Sequence, residues 1–175
     1  MPVKMDVHGL AQSADSDALL VVLKESERER YLAIGIGPLE IASIAAALQG
    51  VQPPRPMTHD LLCSALAACG ARVTRVIIHS LIEGVFHARL ALDVQGRHTE
   101  LDSRSSDAIA VALRVGVPIH VEEAVLEQAG ITPSEAGASS SSAAQERIGE
   151  EQLGAFRDVI QGLDLDDLDR PRPAG

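Results

Sequence analysis

The chain has 175 residues and is 46% hydrophobic, enough for one domain with an ordinary core plus an appendage. Aromatic residues make up only 2%, with no tryptophan, which excludes nucleic-acid binding through stacked aromatic platforms. A formal net charge of −10 excludes a bulk electrostatic grip on a phosphate backbone, so any such contact falls to a few local arginines.

In chain order, residues 3–36 read as β-structure. Residues 18–24 are an apolar run of strand length, 25–30 a charged turn and 31–36 a second run, together a hairpin. Gly35 and Gly37 at its end mark a bulge or a close backbone approach. From Pro38 the period becomes helical, with Ile41, Ile44, Ala45 and Leu48 on one face, Pro38 in the first turn and Gly50 at the stop. Prolines 53, 54 and 56 then impose an extended elbow, because each ring fixes φ and removes a donor. The elbow delivers Thr58 to a second helix whose stripe is Leu61, Leu62, Ala65, Leu66 and Cys69, ending at Gly70. Cys63 and Cys69 are separated on this helix by about 600° of rotation and about 9 Å of rise. That suits neither a disulfide nor a shared metal, so they read as reduced, mostly buried thiols.

Residues 73–81, 85–94 and 97–102 read as three strands joined by tight turns at Glu83-Gly84 and Gln95-Gly96, an antiparallel meander. An alanine-rich helix over 106–115 stops at Gly116 and Pro118. A brief strand at 119–121 and a short helix over 122–129 close the folded domain, 1–131. Residues 132–145, with four consecutive serines, read as a flexible linker, 146–161 as a weak amphipathic helix and 162–175 as a disordered acidic tail. No charged leader precedes an apolar segment, and no apolar run reaches about 18 residues. The expected class is therefore α+β, a mixed or antiparallel sheet with several short helices, cytoplasmic and not membrane-bound. Self-association through the alanine-rich helices and apolar strands is also expected.

Two places carry chemistry. At Thr58-His59-Asp60 a hydroxyl suited to capping precedes an acid in the first turn, and Ser105-Ser106-Asp107 repeats the arrangement. Capping alone accounts for those residues. Yet Arg55 and Arg104 each precede one of these helix starts, and an arginine beside free N–H groups can bind phosphate. Carboxylates from Glu40, Asp60, Asp102 and Asp107, if gathered, could hold Mg²⁺ or Mn²⁺, and His59 could act as a base or a ligand. The other histidines, His8, His79, His87, His98 and His120, show no paired ligand spacing and read as solvated or structural. No Walker loop, HExxH, CxxC, GxSxG or strand-linked GxGxxG is present.

Three blocks resemble the bifunctional nuclease domain family of bacteria and plants. They are Tyr31-Leu32-Ala33-Ile34-Gly35-Ile36-Gly37 running to Glu40, then Gly50-Val51-Gln52-Pro53-Pro54-Arg55-Pro56-Met57-Thr58-His59-Asp60-Leu61, then Arg104-Ser105-Ser106-Asp107-Ala108-Ile109-Ala110 followed by Arg114-Val115-Gly116-Val117-Pro118-Ile119. The order of linker, short helix and acidic tail resembles actinobacterial members. The resemblance implies a compact α+β domain with nuclease activity on DNA or RNA. Set against it, the candidate assignments are His59, Asp60 and Asp107 as catalytic, Arg55 and Arg104 on phosphate, and Glu40, Asp60 and Asp107 on a divalent cation, Mg²⁺ or Mn²⁺. The chain departs from the family pattern at Ala33 and Ser105, where a proline is usual, and at Gly35, where a tryptophan is usual. The competing reading is a non-catalytic binding or regulatory module, oligomeric, in which the same residues only cap helices.

Overall fold

The computed structural model describes residues 1–13 and 18–132. Apart from Thr132, the linker, amphipathic helix and acidic tail expected over 132–175 lie outside the described residues. In chain order the elements are β1 (Pro2–Gln12), β2 (Leu19–Glu25), β3 (Tyr31–Ile36), α1 (Pro38–Leu48), α2 (Thr58–Ala68), β4 (Ala71–Ile82), β5 (Val85–Val94), β6 (Arg97–Arg104), α3 (Ser105–Val115), β7 (Ile119–Glu122), α4 (Glu123–Ala129) and β8 (Gly130–Ile131). The molecule is α+β, as expected. No helix among the described residues is long and apolar enough to cross a membrane.

The eight strands form one sheet in the order β6-β5-β4-β7-β1-β2-β3-β8. Both expected tight turns are present. Glu83 and Gly84 have φ of 50° and 79°, and Gln95 and Gly96 have 55° and 84°. Two consecutive positive φ values match the twist of the flanking strands, so β4, β5 and β6 pair in sequence as a meander. The strands β1, β2 and β3 form the other half, also antiparallel. β7 lies between β4 and β1, parallel to the former and antiparallel to the latter. A parallel neighbour requires a long return path, and here it runs through β5, β6 and α3.

That path places α3 at the centre. It contacts β3, β4, β5 and β6, strands near both ends of the sheet order, so the sheet curls around it. Ala108, Ile109, Ala110, Val111 and Ala112 are at most 1% exposed, and the small alanines let α1 pack closely. The alanine-rich face of α3 is thus spent on the protein's own core. On α2 the expected stripe is rotated. Leu62, Cys63 and Leu66 pack on the core, whereas Leu61 is 62% exposed and Cys69 is an exposed free thiol. Leu48, placed on the inner face of α1 by its spacing, is also exposed because it closes the helix beyond the edge of the core. A partly buried clasp secures the hairpin. Arg30 donates to Glu25 on β2 and to Glu123 on α4.

Two histidines lie outside the helical layer, on β4 and β7. Burial, then Arg89 and His87, hold the His79 imidazole below its ordinary pKa; burial, then Arg75 and Lys4, do the same for His120. The unfolded rings therefore take up protons from about pH 6.5 downward, ahead of the folded rings. Stability is accordingly highest above that value and declines as the pH is lowered through it. Melting temperatures recorded from about pH 7.5 to about pH 5.5 should fall, and the joint variant His79→Gln/His120→Gln should flatten the slope. An unchanged slope in that variant would assign the loss to other groups.

Candidate functional site

Glu40, Asp60 and Asp107 each sit in the first turn of a helix, at the third position counting from Pro38, Thr58 and Ser105. A carboxylate there faces the free N–H groups and the positive end of the helix dipole. Asp60 shows the local bond directly, its Oδ2 accepting from the Met57 backbone N–H at 2.8 Å, as in one half of a capping box. The cap position of α2 is thus Met57 and not Thr58, which is already helical. Likewise Arg104 occupies the cap of α3, and the expected hydroxyl cap from Ser105 or Ser106 does not form, since both lie buried inside the first turn.

Two arginines join these acids in different ways. Arg104, with 65% of its side chain exposed, donates from Nε and Nη2 to the two oxygens of Asp107 at 2.8 and 3.0 Å, and from Nη1 to Glu40 at 2.8 Å. A guanidinium has five N–H hydrogens, so two remain on its open side. Arg114 is only 11% exposed in its side chain and makes four bonds: Nε to Asp60 at 2.6 Å, Nη1 to the Ser43 and Ala110 carbonyls, and Nη2 to Ser43 Oγ at 3.1 Å. Arg104 has capacity for a ligand; Arg114 is almost saturated within the protein.

His59 closes the network. Its Nε2 lies 3.1 Å from Asp107 Oδ1 and its Nδ1 lies 2.8 Å from Ser43 Oγ. One continuous chain of bonds therefore runs Glu40, Arg104, Asp107, His59, Ser43, Arg114, Asp60. Burial pushes the Asp107 carboxyl upward, but the bonds from Arg104 and His59 outweigh it and leave the pKa below the ordinary carboxylate value. For Asp60, burial is likewise outweighed by Arg114 and the Met57 N–H. Both acids are ionised at neutral pH.

Of the residues singled out by sequence, Glu40, His59, Asp60, Arg104 and Asp107 meet here. Arg55 is exposed on the elbow and takes no part, and Asp102 is exposed on β6 in register with Arg89. Ser43 and Arg114 were not singled out, though both left a trace. Seven residues separate Asp107 from Arg114, about two helical turns, so they share a face. Ser43 is a polar residue 3% exposed inside an apolar stripe.

The carboxylates considered for Mg²⁺ or Mn²⁺ are engaged by arginine. Among the described residues no group of three or more His, Cys, Asp or Glu is placed to hold a metal ion. As arranged, this donor set does not fit a preassembled cation.

The family model described as bifunctional nuclease domain matches residues 21–134, well over half of the chain. The chain belongs to the bifunctional nuclease domain family. All seven residues of the network lie within the matched span. An uncharacterized protein of Mycobacterium tuberculosis is 41% identical over 163 residues, covering 93% of this chain and 95% of that protein. Bifunctional nuclease 1 of Oryza sativa subsp. indica is 30% identical over 139 residues, and bifunctional nuclease 2 of Oryza sativa subsp. japonica is 27% identical over 165. The alignments cover 42% and 46% of those rice proteins, so this bifunctional nuclease domain corresponds to less than half of each. At Gly35, where the family resemblance anticipates tryptophan, a Cβ would meet nothing within 4 Å. The glycine leaves that position of β3 open.

Proposed function

We propose that this bifunctional nuclease domain hydrolyses phosphodiester bonds of DNA or RNA at the Arg104–Asp107–His59 end of the network. The observation that supports it is the exposed Arg104, whose two remaining N–H hydrogens lie beside an ionised carboxylate and an imidazole. The guanidinium would take two phosphate oxygens, the geometry it matches best. A carboxylate has about four acceptor positions, and Arg104 and His59 occupy three on Asp107. The fourth can orient a water toward the phosphorus.

The test is cleavage of labelled single-stranded DNA, duplex DNA and RNA by the purified full chain in Mg²⁺, in Mn²⁺ and in chelator. Arg104→Ala is expected to lower kcat/KM roughly 10- to 100-fold, the worth of a lost charge-assisted contact of about 1.5–3 kcal/mol. Its stability should change by less than about 1 kcal/mol, because the ion pairs it loses are solvent-exposed. Undiminished cleavage by Arg104→Ala would remove Arg104 from the site. The neutralised carboxylates favour a second reading, a non-catalytic binding module. In that case the wild-type chain would bind nucleic acid, lose binding on Arg104→Ala, and cleave under none of the metal conditions.

A further inference from the structure

We infer that Arg114 is a positioning residue: acting through Ser43 Oγ, it holds neutral His59 as the Nε2–H tautomer, with that hydrogen aimed at Asp107. The inference deepens the hydrolase reading above, on which its catalytic meaning rests. Asp107 is ionised and can only accept, so the contact of 3.1 Å places a hydrogen on His59 Nε2. A neutral imidazole then has its lone pair on Nδ1. Among the described residues, the hydrogen-bond partner of Nδ1 is the Ser43 hydroxyl at 2.8 Å, which has a single hydrogen to donate.

What directs that hydrogen toward His59 is Arg114. A serine inside a helix ordinarily donates back to the carbonyl four residues earlier. Ser64 of α2 does so, to the Asp60 carbonyl at 2.9 Å. Ser43 of α1 instead faces His59. Arg114 Nη2 donates to Ser43 Oγ at 3.1 Å and Nη1 to the Ser43 carbonyl at 3.2 Å, gripping the residue at both ends. The guanidinium is itself fixed by Asp60 and by the Ala110 carbonyl. A fixed donor on one side of the hydroxyl oxygen leaves its hydrogen to point away, toward Nδ1. His59 therefore meets Asp107 as a donor; the other tautomer would bring a lone pair against a carboxylate. Ser43 is 3% exposed and the His59 side chain 14%, so water does not readily substitute for either partner.

Tautomers are read directly from long-range proton–nitrogen NMR correlations of histidine-labelled full-length protein at alkaline pH, with His59→Gln identifying the His59 pattern. The wild type should show His59 as a single Nε2–H tautomer. Asp107→Asn, whose amide can accept from or donate to Nε2, should retain that pattern through Ser43 and Arg114 alone; adding Arg114→Met or Ser43→Ala to it should give an averaged one, while adding Ser43→Thr, which keeps the hydroxyl, should not. Unchanged signals from His79 and His120, each with a buried ring nitrogen, would show that the fold persists, and Ser43→Ala keeps the test decisive if Arg114→Met does not fold. A wild-type Nδ1–H or averaged ring would overturn the inference, as would an averaged ring in Asp107→Asn alone or an unaltered His59 pattern when Ser43→Ala or a folded Arg114→Met is added to Asp107→Asn. No substrate is needed, so the result is independent of whether cleavage is observed.

Discussion

Replacing Arg114 with methionine should destabilise the fold by about 3 kcal/mol, lowering the melting temperature by roughly 10 °C. Methionine keeps most of the apolar stem, so the loss is that of the guanidinium and its four bonds to Asp60, Ser43 and Ala110. Asp60 retains the Met57 N–H and is 30% exposed at its side chain, which keeps the cost below that of a fully buried orphan charge. The sign of the pH dependence is also fixed. Because the folded Asp60 carboxyl lies below its ordinary pKa, its contribution is present at neutral pH and is lost as acid carries it through the folded value. Arg114→Met should therefore differ most from wild type near neutrality and converge toward it below about pH 4. Thermal melts across that range give the measurement. A shift under about 2 °C at pH 7 would show that water replaces the guanidinium without strain.

The two arginines thus divide the network by exposure. The bonds of Arg104 are made in solvent, where an ion pair contributes little to folding, and its outward edge is open to a ligand. The bonds of Arg114 are made out of solvent, where losing one partner leaves the others unsatisfied. Local sequence carries part of this. Hairpins, tight turns and the helix stop at Gly116, with φ of 69°, depend on a few neighbouring residues and are legible from them. The insertion of β7 between β4 and β1, and the two-residue strand β8, depend on which strands meet across the whole chain. No local pattern encodes that choice. The rotation of α2 has the same origin: Leu61 and Leu62 are equally apolar, and only the position of α3 decides which one packs inward. In the site, acids at helix starts stand out because capping is local, whereas Ser43 and Arg114 lie 71 residues apart in sequence. The traces they leave, a polar residue in an apolar stripe and an arginine two turns from Asp107, do not show that they meet.

If His59 and Asp107 act as one unit, His59→Ala and Asp107→Asn should each lower kcat on the order of 10³-fold, within the range for positioned acid–base groups. The double variant should then be no slower than the worse single variant, since removing either member disables the pair. The structural reason is that Asp107 Oδ1 receives both His59 Nε2 and Arg104 Nη2. Asparagine in its place offers one acceptor where the carboxylate offers two, so His59 and Arg104 lose their common partner. Independent roles would instead give losses that multiply, to roughly 10⁶-fold in the double variant. Single-turnover cleavage with enzyme in excess is the appropriate measurement, because it separates the chemical step from substrate binding and product release. Full activity in Asp107→Asn would place the reaction elsewhere on the domain and leave this network as a clasp among three helices. Non-multiplying losses, with thermal stability held near the wild-type value, would tie the bond between His59 and Asp107 to the chemical step itself.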